Sequence, residues 1–466
     1  MLSIPLDTES KIPLYTQIYQ YIRSEILNGS LSEQKKLPST RTLSSLLNVS
    51  RTTVDMAYCQ LVDEGYVSVF PKKGYFVNEI SSLSQLSLPK PATKKKETVV
   101  EKKSFSYDFS PFSIDLEHFP YATWQQLSRR CLKADKKLFL LGDAMGDFSL
   151  REEIASYLHQ SRSVKCSPEQ IVVGAGVDYL LQLLAGILGK NRSLAMENPS
   201  YIRAFRIFQG LGYQVTPIPL DKEGLDVTKL STSLCDTVYV TPSHQYPMGV
   251  IMPINRRLEL LAWAEEKTGR YIIEDDHDSE FRYRGKPIPS LQGIDSKEKV
   301  IYLGTFSRAI APAIRVGYMV LPPKLLEEYH KKCYYYSSTV SRIDQAILTA
   351  FLKEGYFERH LNRMRKLYKE KHDTMTELLE QSHLPLSIQG ENAGLHLVVS
   401  MKDTENTKGA ENEKRLIASA AAKGIKVYGL LEHFIERPKD YTPTLLLGYA
   451  NLSLEEIRSG LTLLFS

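Results

Sequence analysis

Residues 300–318 read VIYLGTFSRAIAPAIRVGY, and this stretch decides the fold of the larger part of the chain. Its apolar start is that of a buried strand. A small, hydroxyl-bearing run follows, then Arg308, then a second cation at Arg315. A strand that delivers Thr305, Ser307 and Arg315 to one place offers ligands for an oxyanion. Three upstream segments carry matching chemistry. QIVVGAGVDYLLQLLAGIL (170–188) reads as a strand, a Gly-Ala-Gly turn and a helix whose first backbone N–H groups suit a phosphate. MENPSYIRAF (196–205) sets Tyr201 behind a Pro-Ser turn, where its ring can stack on a flat ligand. RYIIEDDHDSEFRY (270–283) is a buried strand ending in carboxylates and His277. Those residue types fit a metal site or a solvated acidic loop, and no fixed ligand spacing favours the metal.

Around these segments, residues 106–466 alternate apolar strands with helical patterns, which predicts an α/β domain with a mostly parallel sheet. Residues 80–105, ISSLSQLSLPKPATKKKETVVEKKSF, have the Ser-, Pro- and Lys-rich composition of a flexible linker. Residues 10–79 form a separate set of short elements. A chain of 466 residues is long enough for two such domains. With 42% hydrophobic and 24% charged residues it has a soluble globular composition. No apolar run reaches membrane-span length, and the first residues carry no export signal. Cys59, Cys131, Cys166, Cys235 and Cys333 are scattered without a CxxC pair, which suits reduced thiols in the cytoplasm. A net charge of +5 is too mild to argue for nucleic acid by itself.

The first region makes that argument by placement. IPLYTQIYQYIRSEILNG puts Leu14, Ile18, Ile22 and Ile26 on one helical stripe, between Pro13 and Gly29. LPSTRTLSSLLNV gives a second helix capped by Ser39. SRTTVDMAYCQLVDEG gives a third, capped by Ser50, with Val54, Tyr58, Leu61 and Val62 inward and Gly65 as the stop. YVSVFPKKGYFVN is a hairpin around Pro-Lys-Lys-Gly. Three helices and a hairpin make a winged helix-turn-helix, whose third helix enters the major groove by its first residues. Those are Ser50, Arg51, Thr52 and Thr53; Arg51 can read a guanine edge, while Arg41, Lys72 and Lys73 suit the flanking backbone. Residues 1–79 hold eight basic and eight acidic side chains, so position, not net charge, points to DNA.

This region resembles the GntR family of bacterial winged-helix regulators through LPSTRTL, VSRTTV and LVDEGYV in combination. The resemblance implies that Arg41, Arg51 and the wing contact operator DNA. The family often has a second glycine at the wing tip, where Lys72 and Lys73 stand here.

The second region resembles the fold type I aminotransferases that use pyridoxal 5′-phosphate, through GDFSLREEIASYLHQSR, TPSHQYPMG, IIEDDHDSEFRY and GTFSRAIAPAIRVGY. The order of the two regions is that of the MocR/GabR-type regulators. The resemblance implies a large domain with a smaller C-terminal α+β subdomain, a homodimer, and a set of roles. Amides at Ala175 and Gly176, with Thr305, Ser307 and Arg315, hold the phosphate. Tyr201 stacks on the pyridine ring, Asp275 pairs with its nitrogen, and Arg203 meets the carboxylate of an amino acid ligand. Three positions depart from the pattern. Arg308 stands where the family has the lysine that bonds the cofactor, His277 where it has a tyrosine facing the phenolic oxygen, and Met248 where it has a small residue. A guanidinium does not lose its proton near neutral pH and cannot replace an attacking amine. Lys286 or Lys299 would have to stand in. The expectation is therefore a DNA-binding regulator with no transaminase turnover. Its cleft would hold pyridoxal 5′-phosphate non-covalently and sense a small molecule, an amino acid or its cofactor adduct. The alternatives are an active aminotransferase with an accessory DNA-binding domain, and a regulator that senses another anion.

Overall fold

The computed structural model describes residues 4–80, 104–283, 285, 288–333, 335–401 and 409–465. Nearly all of the linker expected at 80–105 lies outside them, as does Lys286. The chain divides into two compact units, Met1–Lys102 and Lys103–Ser466.

In the first unit, α1 (Leu14–Leu27), α2 (Thr40–Leu47) and α3 (Arg51–Asp63) precede an antiparallel hairpin of β1 (Val67–Phe70) and β2 (Gly74–Val77). Ile18, Ile22, Leu43, Val54, Tyr58 and Leu61 fill its core, while Leu14 and Val62 are half-buried at the edge. Ser39 and Ser50 cap α2 and α3, each accepting an N–H bond at 3.1 Å, from Thr42 and Thr53. At the wing tip Lys72 takes φ 63°, a left-handed conformation that glycine adopts without strain. That conformation explains why a glycine would suit this turn.

In the second unit β3 (Tyr107–Asp108) pairs in parallel with residues 425–426, and the unit is built on an eight-stranded sheet. Its strands are β4 (Ile171–Gly174), β5 (Ser193–Asn198), β6 (Gln214–Asp221), β7 (Gly224–Leu225), β8 (Thr237–Val240), β9 (Tyr271–Asp276), β10 (Val300–Thr305) and β11 (Gly317–Val320). They lie in the order β4-β11-β10-β9-β8-β5-β6-β7. Neighbours from β10 through β9, β8 and β5 to β6 are parallel, and β11 runs against both β10 and β4. β8, β9 and β10 are buried at every position, so their sequences read as apolar runs and not as alternating strands. Helix α4 (Val177–Leu188) follows β4 and is apolar almost all round because it packs inside the unit. A smaller antiparallel sheet near the C-terminus joins four strands, 386–389, 396–401, 444–448 and 428–429.

Register places the site. Leu303 and Gly304 of β10 lie beside Asp275 and Asp276 of β9, Thr305 faces Gly317 of β11, and Gly317 faces Gly174 of β4. The ends of these strands therefore bring the acidic run, the hydroxyl run and the glycine turn to one edge, where ligands bind in open α/β sheets.

Candidate functional site

At that edge lies a cleft of about 290 Å³. Tyr201, Arg203, Asp275, His277, Thr305, Ser307, Arg308 and Arg315 all line it. Ala175 and Gly176 do not. The Ala175 N–H donates to Thr339 Oγ1 at 3.0 Å, and that of Gly176 to Gly174 O at 2.7 Å. From this turn it is Val177 and Asp178, the first residues of α4, that face the cleft. Gly176 acts through space: it takes φ +85°, and a Cβ there would stand 2.8 Å from Arg315 Nη2.

The acidic run resolves residue by residue. Glu274 accepts the Leu291 and Gln292 amides, each at 2.8 Å. Asp276 takes Arg162 Nε at 2.8 Å and the Tyr302 hydroxyl at 2.6 Å. Asp278 lies 3.1 Å from His244 Nδ1. Among the acids of this run, Asp275 alone lines the cleft. Its Oδ2 accepts the Tyr239 hydroxyl, while its buried Oδ1 has no hydrogen-bond partner among the described residues. Burial raises its pKa against the opposing pull of His277 and the Tyr239 bond. A ring N–H brought to Oδ1 would satisfy that oxygen.

Tyr201 and Tyr246 meet edge to face at 6.0 Å, which fixes the Tyr201 ring plane. Burial pushes the Tyr201 hydroxyl up to about 12, so it stays neutral. The Thr305 hydroxyl accepts the Ser307 N–H at 3.1 Å and ties the hydroxyl run together. Arg315 and Arg203, assigned from sequence to different groups, share one carboxylate: Asp178 is 3.4 Å from the first and 3.6 Å from the second. Arg308 donates to Pro111 O at 2.6 Å and lies 5.9 Å from the centre of the Phe112 ring. Among the described residues lining the cleft there is no lysine. Lys299 stands before β10 at the strand's other end, bonding Lys267 O at 3.1 Å. Met248 does not line the cleft and packs with Leu430 and Leu431.

In the first unit Arg41, Ser50, Arg51, Thr52, Lys72 and Lys73 are exposed and Thr53 is half-buried. The Ser50 and Thr53 hydroxyls bond each other at 2.7 Å, so they serve the cap of α3.

Phe112, Asp178, Tyr239, Thr241 and Tyr246 escaped sequence reasoning. Asp178 was legible as an acid in the first turn of a helix after a glycine turn. Phe112 had no signal, because only the fold carries it to Arg308.

Comparison with known proteins follows the same division. Residues 14–77 match the gntR family of bacterial regulatory proteins, and residues 115–433 match aminotransferase class I and II. The chain is 40% identical to a Bacillus subtilis protein named "Uncharacterized HTH-type transcriptional regulator YdeL", over 97% of this chain and 96% of that one. It is 32% identical to the probable rhizopine catabolism regulatory protein MocR of Rhizobium meliloti, over 99% and 95% of the two chains. Identity to the pyridoxine biosynthesis transcriptional regulator PdxR of Corynebacterium glutamicum is 33%, over 93% and 91%. Among solved structures, the kynurenine aminotransferase of Pyrococcus horikoshii matches with a TM-score of 0.68 at 26% identity, covering 78% of this chain and 90% of that one.

Proposed function

The chain belongs to the MocR subfamily of GntR transcriptional regulators, and from that premise we propose that it senses a small anionic molecule without a covalent cofactor bond. It reads double-stranded operator DNA with the winged helix, as a cytoplasmic homodimer joined through the large unit. Arg51 reads a base edge; Arg41, Lys72 and Lys73 hold the phosphate backbone. Among the described residues no helix is long and apolar enough to cross a membrane.

The observation that carries the sensing half is Arg308 in the cleft with no lysine among the described lining residues. A guanidinium stays charged and delocalised, so it neither attacks an aldehyde nor shuttles a proton, and transaminase turnover is not expected. The other residues suit pyridoxal 5′-phosphate held by contacts alone. Thr305, Ser307 and Arg315 would take the phosphate, Tyr201 the ring face, His277 the phenolic oxygen, and the unpartnered Asp275 Oδ1 the ring nitrogen. When bound, the cofactor supplies an electrophilic aldehyde for amines. Arg203 and Arg308 favour a carboxylate beside it, so an amino acid, free or already joined to the cofactor, fits as effector.

Two experiments test this reading. Selection from a random duplex pool by the full-length protein should enrich a sequence of two half-sites; a pool that stays random removes the DNA-binding role. Pyridoxal 5′-phosphate should bind in equilibrium dialysis and leave no adduct on the protein after borohydride reduction; a reduced adduct that survives denaturation contradicts non-covalent sensing.

A further inference from the structure

At the cleft wall sits a cluster that DNA reading does not use and that the proposed anion sensing uses only through His277. His244, in the loop after β8, has its side chain 1% exposed, and Asp278, just past β9, is 2% exposed. Asp278 lies 3.1 Å from His244 Nδ1 and, through Oδ1, 3.3 Å from His277 Nε2. One ligand atom from each of the three residues lies within 4.8 Å of the others. We propose that His244, His277 and Asp278 bind one divalent transition-metal ion of the zinc class.

The distances suit such an ion. Zinc bonds of about 2.0–2.1 Å in a tetrahedron set neighbouring ligand atoms roughly 3.3 Å apart. Two sides of the triangle already have that length, and rotation of the partly exposed His277 ring closes the third. Hydrogen bonding alone accounts for less. His277 Nε2 lies 3.3 Å from Asp278 but outside the N–H direction that a good hydrogen bond needs, and it has no other partner among the described residues, whereas a metal ion has no such directional need. Two imidazoles and one carboxylate select a borderline cation over calcium or magnesium, which take oxygen ligands. Asp278 brings one negative charge directly to the ion. His277 lines the cleft, so the fourth ligand position opens toward it and is free for water or an anionic ligand. The tyrosine that the aminotransferase resemblance implies at this position would remove the second imidazole, so the proposed site rests on this chain's departure from that pattern.

The inference stands apart from the regulator reading, because its test uses metal alone. Full-length protein is stripped by a chelator and titrated with Co²⁺ as an optical reporter, then with Zn²⁺. One Co²⁺ per chain is expected, with the intense visible bands of four-coordinate geometry, displaced by Zn²⁺. His277→Tyr, checked for folding by circular dichroism, should weaken binding by about 100-fold or more. X-ray absorption on the zinc-loaded wild type should report two imidazoles and a carboxylate oxygen, whatever the fate of the variant. Failure of the wild type to hold stoichiometric Co²⁺ or Zn²⁺ at micromolar metal overturns the proposal. So does an unchanged affinity in the folded His277→Tyr protein, or a ligand set without two imidazoles.

Discussion

Arg51 begins α3, the proposed recognition helix, with its side chain 69% exposed and a loose contact, 3.6 Å, to Asp55. It is free to leave that contact for a base edge. A bidentate arginine–guanine pair is worth roughly 1–3 kcal/mol of discrimination. Arg51→Ala should therefore flatten sequence preference while leaving non-specific binding nearly intact; competition titrations with selected and scrambled duplexes measure both. A second residue makes a pH prediction. Glu197 is wholly buried, accepts the Thr241 N–H, the Thr241 hydroxyl and the Gln245 amide on Oε2, and has burial lift its pKa to about 7. A carboxyl raised on folding contributes stability below its unfolded pKa and loses it as pH rises through the folded value. Glu197→Gln should then gain on the wild type between pH 5 and pH 8, by something of order 3 kcal/mol. Thermal melts at both pH values check the sign, and a gap that shrinks with pH refutes it. Legibility at this scale was uneven. Tyr201, Asp275 and Arg315 were readable because each follows a turn or ends an apolar run. Tyr239 was not, because in a strand buried on both faces nothing in the sequence says which neighbour a polar tip will meet.

The turn before α4 and the wing tip each depend on one left-handed residue. At Gly176 (φ +85°) an alanine adds roughly 1–2 kcal/mol of strain and sets a Cβ 2.8 Å from Arg315 Nη2. Arg315 can move aside, but then it leaves its place in the cleft, where it is proposed to hold the phosphate. Gly176→Ala should lower the melting temperature modestly and weaken pyridoxal phosphate binding more than tenfold; calorimetry with unchanged affinity would separate the glycine from the site. At the wing the two effects oppose each other. Lys72→Gly relieves a left-handed lysine and should stabilise the first unit slightly, yet it removes a cation proposed to hold a DNA phosphate. The salt dependence of DNA binding should then fall by about one unit in slope. Elements were legible where the apolar period was unbroken, as in β9, β10 and α1. The glycine turn was read as free amides; the Gly176 N–H closes the turn on Gly174 O, the Ala175 N–H goes to the Thr339 hydroxyl, and Asp178 beyond them places a carboxylate between two arginines.

At the scale of the molecule, a regulator that reads two half-sites needs two-fold symmetry. Light scattering should give a dimer at micromolar concentration both free and on DNA, and a monomer in both states contradicts the arrangement. The domain order could be read in the sequence because two motif sets of different character flank a polar stretch. The convergence of segments from Pro111 to Arg315 on one cleft could not, since it depends on strand order and register. The claim that joins these levels is that Arg308 has ended covalent cofactor chemistry while the cleft persists. Intact-mass spectrometry tests it most directly. The full-length protein and its Arg308→Lys variant are each incubated with pyridoxal 5′-phosphate, reduced with borohydride and denatured. The account predicts an unmodified wild-type mass and one reduced pyridoxyl phosphate on the variant. A stoichiometric adduct on the wild type would contradict it.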